Sequence, residues 1–308
     1  MQGRRIKVGT RGSALALWQA NWVISRLCAV APEISCDIEI IRTEGDRRQD
    51  VPLAAVGGQG VFVAELEAAL FEGRVDIAVH SGKDMPSSVP PHLMLGAFMP
   101  REDAHDVMVS LKHASIHDLP DGARIGTGSI RRVAQLRHHN PTWRFEDLRG
   151  NLDTRLSKLE HQDLDAIVLA AAGLIRLGWE ERITARIPMG VCLPAVSQGA
   201  VAVELRADDA ALAEIVARLD DASTRAAVVA ERALLRTMQG GCQAPIGAHG
   251  RLFGDHLHLE GVVAAPDGSR LIRRTLEGPM AKPEVLGETL GQELLELGGH
   301  ELLAMRTV

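Results

Sequence analysis

The chain has no tyrosine, and its five phenylalanines and four tryptophans bring aromatic residues to only 3%. With a net charge of −6, that scarcity argues against a nucleic-acid binder, which needs stacking platforms and a basic face. No apolar run approaches the roughly 18 residues of a membrane span. The stretch 14–18 is too short for the apolar part of a signal peptide, so a cytoplasmic protein without a membrane partner is expected. The four cysteines, Cys28, Cys36, Cys192 and Cys242, have no Cys-x-x-Cys spacing and read as reduced thiols, neither a disulfide framework nor a zinc site. The twelve histidines show no ligand spacing, and no metal is expected. Lysine is scarce too: of 34 basic residues only five are lysine and 29 are arginine, the residue suited to a bidentate grip on carboxylate or phosphate.

What is present is ordinary globular material. The 308 residues, 46% hydrophobic and 24% charged, allow roughly two or three domains. The first half alternates short strands and helices: strands at 6–8, 37–43 and 76–80, and helices following Ser13 and at 61–71. The rhythm restarts with a strand at 124–126, a helix capped by Ser129 to His139, a helix at 151–161, a strand at 165–169 and a helix at 170–177. Two such blocks predict two α/β domains with mainly parallel sheets. The tail differs, with a helix at 222–238 stopped by Gly240-Gly241, strands at 248–253, 256–264 and 270–276, and a closing helix at 283–297. It predicts a small α+β domain.

Ligands of open α/β sheets sit beyond the carboxyl ends of the strands. Three strand ends here carry polar chemistry: 10–13 with Arg11 and Ser13, 80–84 with Lys83 and Asp84, and 127–132 with Ser129, Arg131 and Arg132. Arg131 and Arg132 oppose the dipole in the first turn of their helix, a cost that a bound anion or a nearby acid would offset. Arg149, Arg155 and Arg176 lie at or near further turns. Together the arginines suit a ligand with many carboxylates, and we expect them to face one cavity. Asp84 is the candidate acid or base, the alternative being a surface pair with Lys83. Cys242, between Gly240-Gly241 and Gln243-Ala244-Pro245, is a candidate nucleophile or attachment point, the alternative being a buried structural thiol. The segment from Arg47 to Gly60 is rich in charge and glycine and is expected to be a mobile lid.

The segments 11–20, 80–84, 129–132, 148–151, 154–156, 193–200 (Leu-Pro-Ala-Val-Ser-Gln-Gly-Ala) and 240–243, in this order, resemble the porphobilinogen deaminase family. The resemblance implies two domains like those of periplasmic binding proteins, 1–99 with 200–219 and 100–199, with an interdomain cleft, and a small α+β domain, 220–308, that carries the cofactor. It implies a transferase of porphyrin, haem and tetrapyrrole synthesis. Four porphobilinogen molecules would be condensed head to tail with loss of ammonia, and hydroxymethylbilane released by hydrolysis. A dipyrromethane cofactor would be held on Cys242 by a thioether and gripped by Lys83, Ser129, Arg131, Arg132 and Arg155. The substrate's carboxylates would meet Arg11, Ser13, Arg149, Arg155 and Arg176, with Asp84 catalytic and the protein a monomer. Three positions depart from the family's usual residues. Gly82 replaces a larger apolar residue, which would loosen the loop holding Asp84, Gly128 replaces a serine, and Gln59 a lysine. The rival reading is a non-catalytic polycarboxylate-binding protein using the same cleft.

Overall fold

The structure is a computed structural model that describes residues 4–47, 63–241 and 244–305. Gln59 and residues 48–60 of the expected lid lie outside the described residues, as does Cys242.

The first sheet has the order β2 (Ser35–Ile40), β1 (Arg5–Thr10), β3 (Ile77–Ser81), β10 (Val201–Arg206), β4 (Leu93–Phe98). Ile77 and Val79 point into one core with Val23 and Leu27 of the 14–30 helix and with Leu212 and Val216 of the 210–216 helix. Ala78, between them, points the other way, to Leu66 and Leu70 of the 64–71 helix. The period of two along β3 thus buries both faces, as a sheet covered by helices on each side requires.

The second sheet repeats the plan: β7 (Arg144–Glu146), β6 (Arg124–Gly126), β8 (Ala166–Ala170), β5 (Asp106–Val109), β9 (Ala185–Arg186). Met108 and Val168 face a cluster with Leu136 of the 130–139 helix. Val107, Ile167 and Leu169 face Leu156 and Leu159 of the 152–161 helix.

Each sheet carries one reversed strand. In the first, β10 runs antiparallel between β3 and β4, and in the second β5 runs antiparallel between β8 and β9. These are the strands by which the chain returns from, and enters, the second sheet. The two connections, 99–105 and 187–200, touch: a Cβ on Gly199 would lie 2.3 Å from the Glu102 carbonyl oxygen, and Gly199 has φ +88°. Only glycine suits that contact and that backbone.

The tail is an antiparallel meander of β11 (Ile246–Phe253), β12 (His256–Ala264) and β13 (Leu271–Pro279). The helices 222–237 and 283–294 pack on it through Leu234, Leu290 and Leu294 against Leu257, Leu259 and Val263. They approach so closely that a Cβ on Gly287 would fall 2.0 Å from the Ala230 carbonyl oxygen.

The two mainly parallel sheets and the small α+β tail accord with the sequence. The strand expected at 37–43 is displaced to 35–40 because its ladder with β1 pairs Arg5 with Ser35 and Thr10 with Ile40. Strand β13 runs on to Pro279, which pairs with His256 on a sheet edge where a missing N–H is tolerated. Strands β4, β5, β7, β9 and β10 are additions that short local patterns did not reveal.

Candidate active site between the two open sheets

The carboxyl ends of β1 and β3 carry one set of polar side chains, and those of β6 and β7 another. After β1, Ser13 caps the 14–30 helix, its hydroxyl accepting from the Ala16 N–H at 3.3 Å. Arg11, just before it, is half-buried. After β3 the chain makes one 3-10 turn, Gly82–Asp84. Its start is tied down by the Gly82 N–H donating to the Ala200 carbonyl at 2.9 Å. After β6, Ser129 stands at the start of the 130–139 helix, but its hydroxyl accepts no capping bond, so the expected side-chain cap is absent.

Arg131 and Arg132 are 4% and 5% exposed and converge on Asp106, which is fully buried at the start of β5. Arg131 Nη1 donates to Asp106 Oδ2 and Arg132 Nη2 to Oδ1, each at 2.7 Å. Arg131 Nη1 also reaches the Leu193 carbonyl at 2.6 Å, and Arg132 Nη1 the Val168 carbonyl at 2.8 Å. The acid that offsets their unfavourable helix position is therefore Asp106. Although burial opposes it, the two guanidiniums hold the Asp106 carboxyl far below the usual carboxylate range.

Around this pair lies an excess of positive charge. Burial pulls the Lys83 ammonium down to about 8, and Arg132 and Arg155 push the same way against Asp84 and Asp106. Lys83 keeps some accessible area, yet protein surrounds it on most sides, as on the wall of a cleft. Arg155 is pulled down to about 10 by burial first, then by Arg132 and Arg149, with Asp84 and Asp147 opposing. Its Nε donates to the Gly150 carbonyl at 2.8 Å. Lys83 and Asp84 of the first sheet thus share one electrostatic field with Arg132, Arg149 and Arg155 of the second. Arg132 Nε and Arg149 Nη1 are buried without a hydrogen-bond partner among the described residues.

Arg176 stands apart from this cluster. It ends the 171–176 helix, lies 5.8 Å from the ring centroids of both Trp18 and Trp22, and donates to the Gly199 carbonyl at 2.6 Å. Burial brings it to about 10, opposed by Glu102. A cavity of about 410 Å³ bounded by Arg101, His105, Met189, His249 and Arg251 includes none of the predicted site residues.

Residues 6–214 match the family model described as porphobilinogen deaminase, dipyromethane cofactor binding domain, and residues 225–296 match the C-terminal domain of the same family. The chain belongs to the porphobilinogen deaminase family. It is 49% identical over 300 residues to a porphobilinogen deaminase of Pelotomaculum thermopropionicum, covering 97% of this chain and 96% of the relative. It is 50% identical over 301 residues to that of Desulforudis audaxviator, covering 98% and 97%. A nutrient binding protein from Burkholderia cenocepacia bound to methionine is similar at 16% identity and a TM-score of 0.42, covering 68% of this chain and 89% of that one. The deaminase relatives make this an enzyme family and leave the binding-protein rival without support.

The cofactor of the family is dipyrromethane, and the charge distribution fits a polyanionic group. Arg132 and Arg155 disfavour the charge on Lys83, Arg132 and Arg149 that on Arg155, and two guanidinium N–H groups lack acceptors among the described residues. Of the loop expected to hold the cofactor, the flanks are described: the Ala244 N–H donates to the Gly241 carbonyl at 2.9 Å.

The departures also gain a physical account. A Cβ on Gly82 would lie 3.1 Å from Ser197 Cβ and 3.2 Å from the Ser197 carbonyl. The glycine therefore lets the Asp84 loop sit directly on the returning connection, where a side chain would require its neighbours to give by a few tenths of an ångström. A Cβ on Gly128 would come within 3.0 Å of Asp147 Oδ1.

Asp106 and Glu231 escaped the sequence reading. Glu231 is the one acid in the 222–237 helix and is fully buried. A lone carboxylate on an Ala- and Val-rich helix was the available signal. Asp106 heads the apolar strand Asp-Val-Met-Val, where only its partners reveal its role.

Proposed function

We propose that this chain catalyses the porphobilinogen deaminase reaction: stepwise head-to-tail condensation of four porphobilinogen molecules with loss of ammonia, then hydrolytic release of hydroxymethylbilane. It is a deaminating transferase, a cytoplasmic monomer without nucleic-acid or membrane partners, divided into domains at 1–99 with 200–219, 100–199 and 220–308. The observation that carries this reading is the field shared by Lys83, Arg132, Arg149 and Arg155 around Asp84. It sets a cluster of cations beside a carboxylate of the first sheet, with Asp106 already engaged by Arg131 and Arg132.

When bound through Cys242, the dipyrromethane supplies the pyrrole to which substrate units are joined. Lys83, Ser129, Arg131, Arg132 and Arg155 would hold its acetate and propionate groups. Arg11, Ser13, Arg149, Arg155 and Arg176 orient the carboxylates of the incoming substrate. Each bound carboxylate relieves the mutual repulsion of the arginines, so binding and charge neutralisation are one event. Asp84 would stabilise positive charge as it develops on the pyrroles and help protonate the departing amine.

Intact mass and activity test the reading together. Purified protein is expected to be heavier than its sequence by one dipyrromethane, and Cys242→Ser protein is expected at sequence mass and inactive. A fully active Cys242→Ser protein, or pyrrole attached to another cysteine, would refute the assignment.

A further inference from the structure

The connection 193–200 was singled out as a motif, yet the proposed chemistry uses none of its side chains. The structure makes it the meeting point of the site's supports. The Leu193 carbonyl accepts from Arg131, and also from Gln135 Nε2 at 3.0 Å. The Gly199 carbonyl accepts from Arg176, and the Ala200 carbonyl from Gly82, next to Lys83 and Asp84. Gln198, 1% exposed, donates through the same Nε2 to Asp106 Oδ1 at 2.9 Å and to the Ala104 carbonyl at 2.7 Å. Asp106 therefore takes two arginines from the second sheet and, from the returning connection, one amide and the Cys192 thiol at 3.4 Å, while Ala104 belongs to the outgoing one.

We infer that Asp106, aided by Gln198, is a positioning residue that orients Arg131 and Arg132 and registers them against the loop carrying Lys83 and Asp84. The inference rests on the proposed function. The reasoning is geometric. A guanidinium on a long side chain has many rotamers, and its grip on a carboxylate depends on the plane of its fork. Here each fork is fixed by one Asp106 oxygen and one backbone carbonyl, before any ligand arrives. Because Asp106 also receives Gln198, the arginines cannot turn without disturbing the connection that holds Gly82. Asp106 does not itself meet substrate, since its carboxylate is fully buried and both oxygens are occupied.

The test compares wild type, Asp106→Asn and Gln198→Met as apo-protein, and follows by intact mass the rate at which each gains dipyrromethane from porphobilinogen. Arg131 and Arg132 are assigned to the cofactor's carboxylates, so their misalignment is read in cofactor uptake before KM for porphobilinogen. Asp106→Asn is expected to slow uptake by about tenfold or more, the scale of a charged hydrogen bond, with KM of the loaded fraction within about threefold. Gln198→Met, which leaves both ion pairs in place, is expected to slow uptake by a smaller factor and decides the matter if Asp106→Asn does not fold. The second readout is the side-chain NMR of Arg131 and Arg132. Slowly rotating, resolved guanidinium N–H signals are expected in wild type, and merged signals in the variants.

Folded variants with wild-type cofactor uptake and wild-type arginine signals, altered only in melting temperature, would reduce Asp106 to a structural residue and overturn the inference. A wild-type protein that does not turn over porphobilinogen would instead overturn the functional reading. The arginine signals would still decide whether Asp106 orders the guanidinium groups.

Discussion

Replacing Glu231 by glutamine should loosen the junction of all three units while hardly changing the side chain's volume. Glu231 is fully buried and accepts four hydrogen bonds. Its Oε1 takes Arg101 Nη1 at 2.6 Å and the Gly250 N–H at 2.7 Å. Its Oε2 takes Arg101 Nη2 at 3.2 Å and the Ser197 N–H at 2.7 Å. Arg101 belongs to the outgoing connection, Ser197 to the returning one and Gly250 to β11, so one carboxylate joins both crossings to the tail. Glutamine keeps one accepting oxygen and turns an amide NH2 towards two donors. Two charge-assisted bonds, at about 1.5–3 kcal/mol each, are lost, giving roughly 3–6 kcal/mol. The independent figure for removing one partner of a buried ion pair is about 3–5 kcal/mol. The two agree, and we expect Glu231→Gln to lose about 3–5 kcal/mol in urea unfolding. The Arg101→Met/Glu231→Leu double variant should recover only part of this, because the Ser197 and Gly250 N–H groups remain without their acceptor. A loss below about 1 kcal/mol for Glu231→Gln, with matched cofactor content, would refute the view that this carboxylate holds the units together.

Other expectations concern the chemistry. In Cys242→Ser protein, which has no attached cofactor, the Lys83 ammonium should titrate near 8 by side-chain NMR, below its ordinary 10.5, because burial first and Arg132 next disfavour its charge. Between those values the unfolded chain holds a proton that the folded chain lacks, so this group's contribution to stability rises with pH across that window. Carboxylate binding favours charged Lys83, so cofactor uptake by the apo-protein should weaken as pH rises above about 8. Asp84→Asn, which removes an opposing charge, should lower the Lys83 value further, and a Lys83 titration near 10.5 in the unsubstituted site would contradict the described environment. In protein of verified cofactor mass, Asp84→Asn should depress turnover by about 10²-fold or more while KM changes little, as for loss of one electrostatic group that acts mainly in the transition state. Near-normal turnover would return Asp84 to a surface partner of Lys83.

Local pattern carried much of the reading. Ser13 before an apolar helical period and the Gly240-Gly241 stop depend on neighbours a few residues away. Such signals are written contiguously in the chain. The family resemblance used the same kind of signal, short motifs in a fixed order. What failed were β4, β5, β7, β9 and β10, whose strand identity depends on pairing with segments elsewhere in the chain.

By itself the sequence determined the family, the α/β repetition with its distinct tail, and which strand ends carry arginine, lysine and aspartate, because these follow from residue type, period and order. Tertiary structure alone decided that β5 and β10 run backwards between their neighbours, that Arg131 and Arg132 share Asp106 across separations of 25 and 26 residues, and that Arg101 meets Glu231 across 130. The physical reason is that a buried charge is tolerable only beside its partner. Which partner it finds is set by how the sheets and crossings pack, and no local stretch of sequence records that.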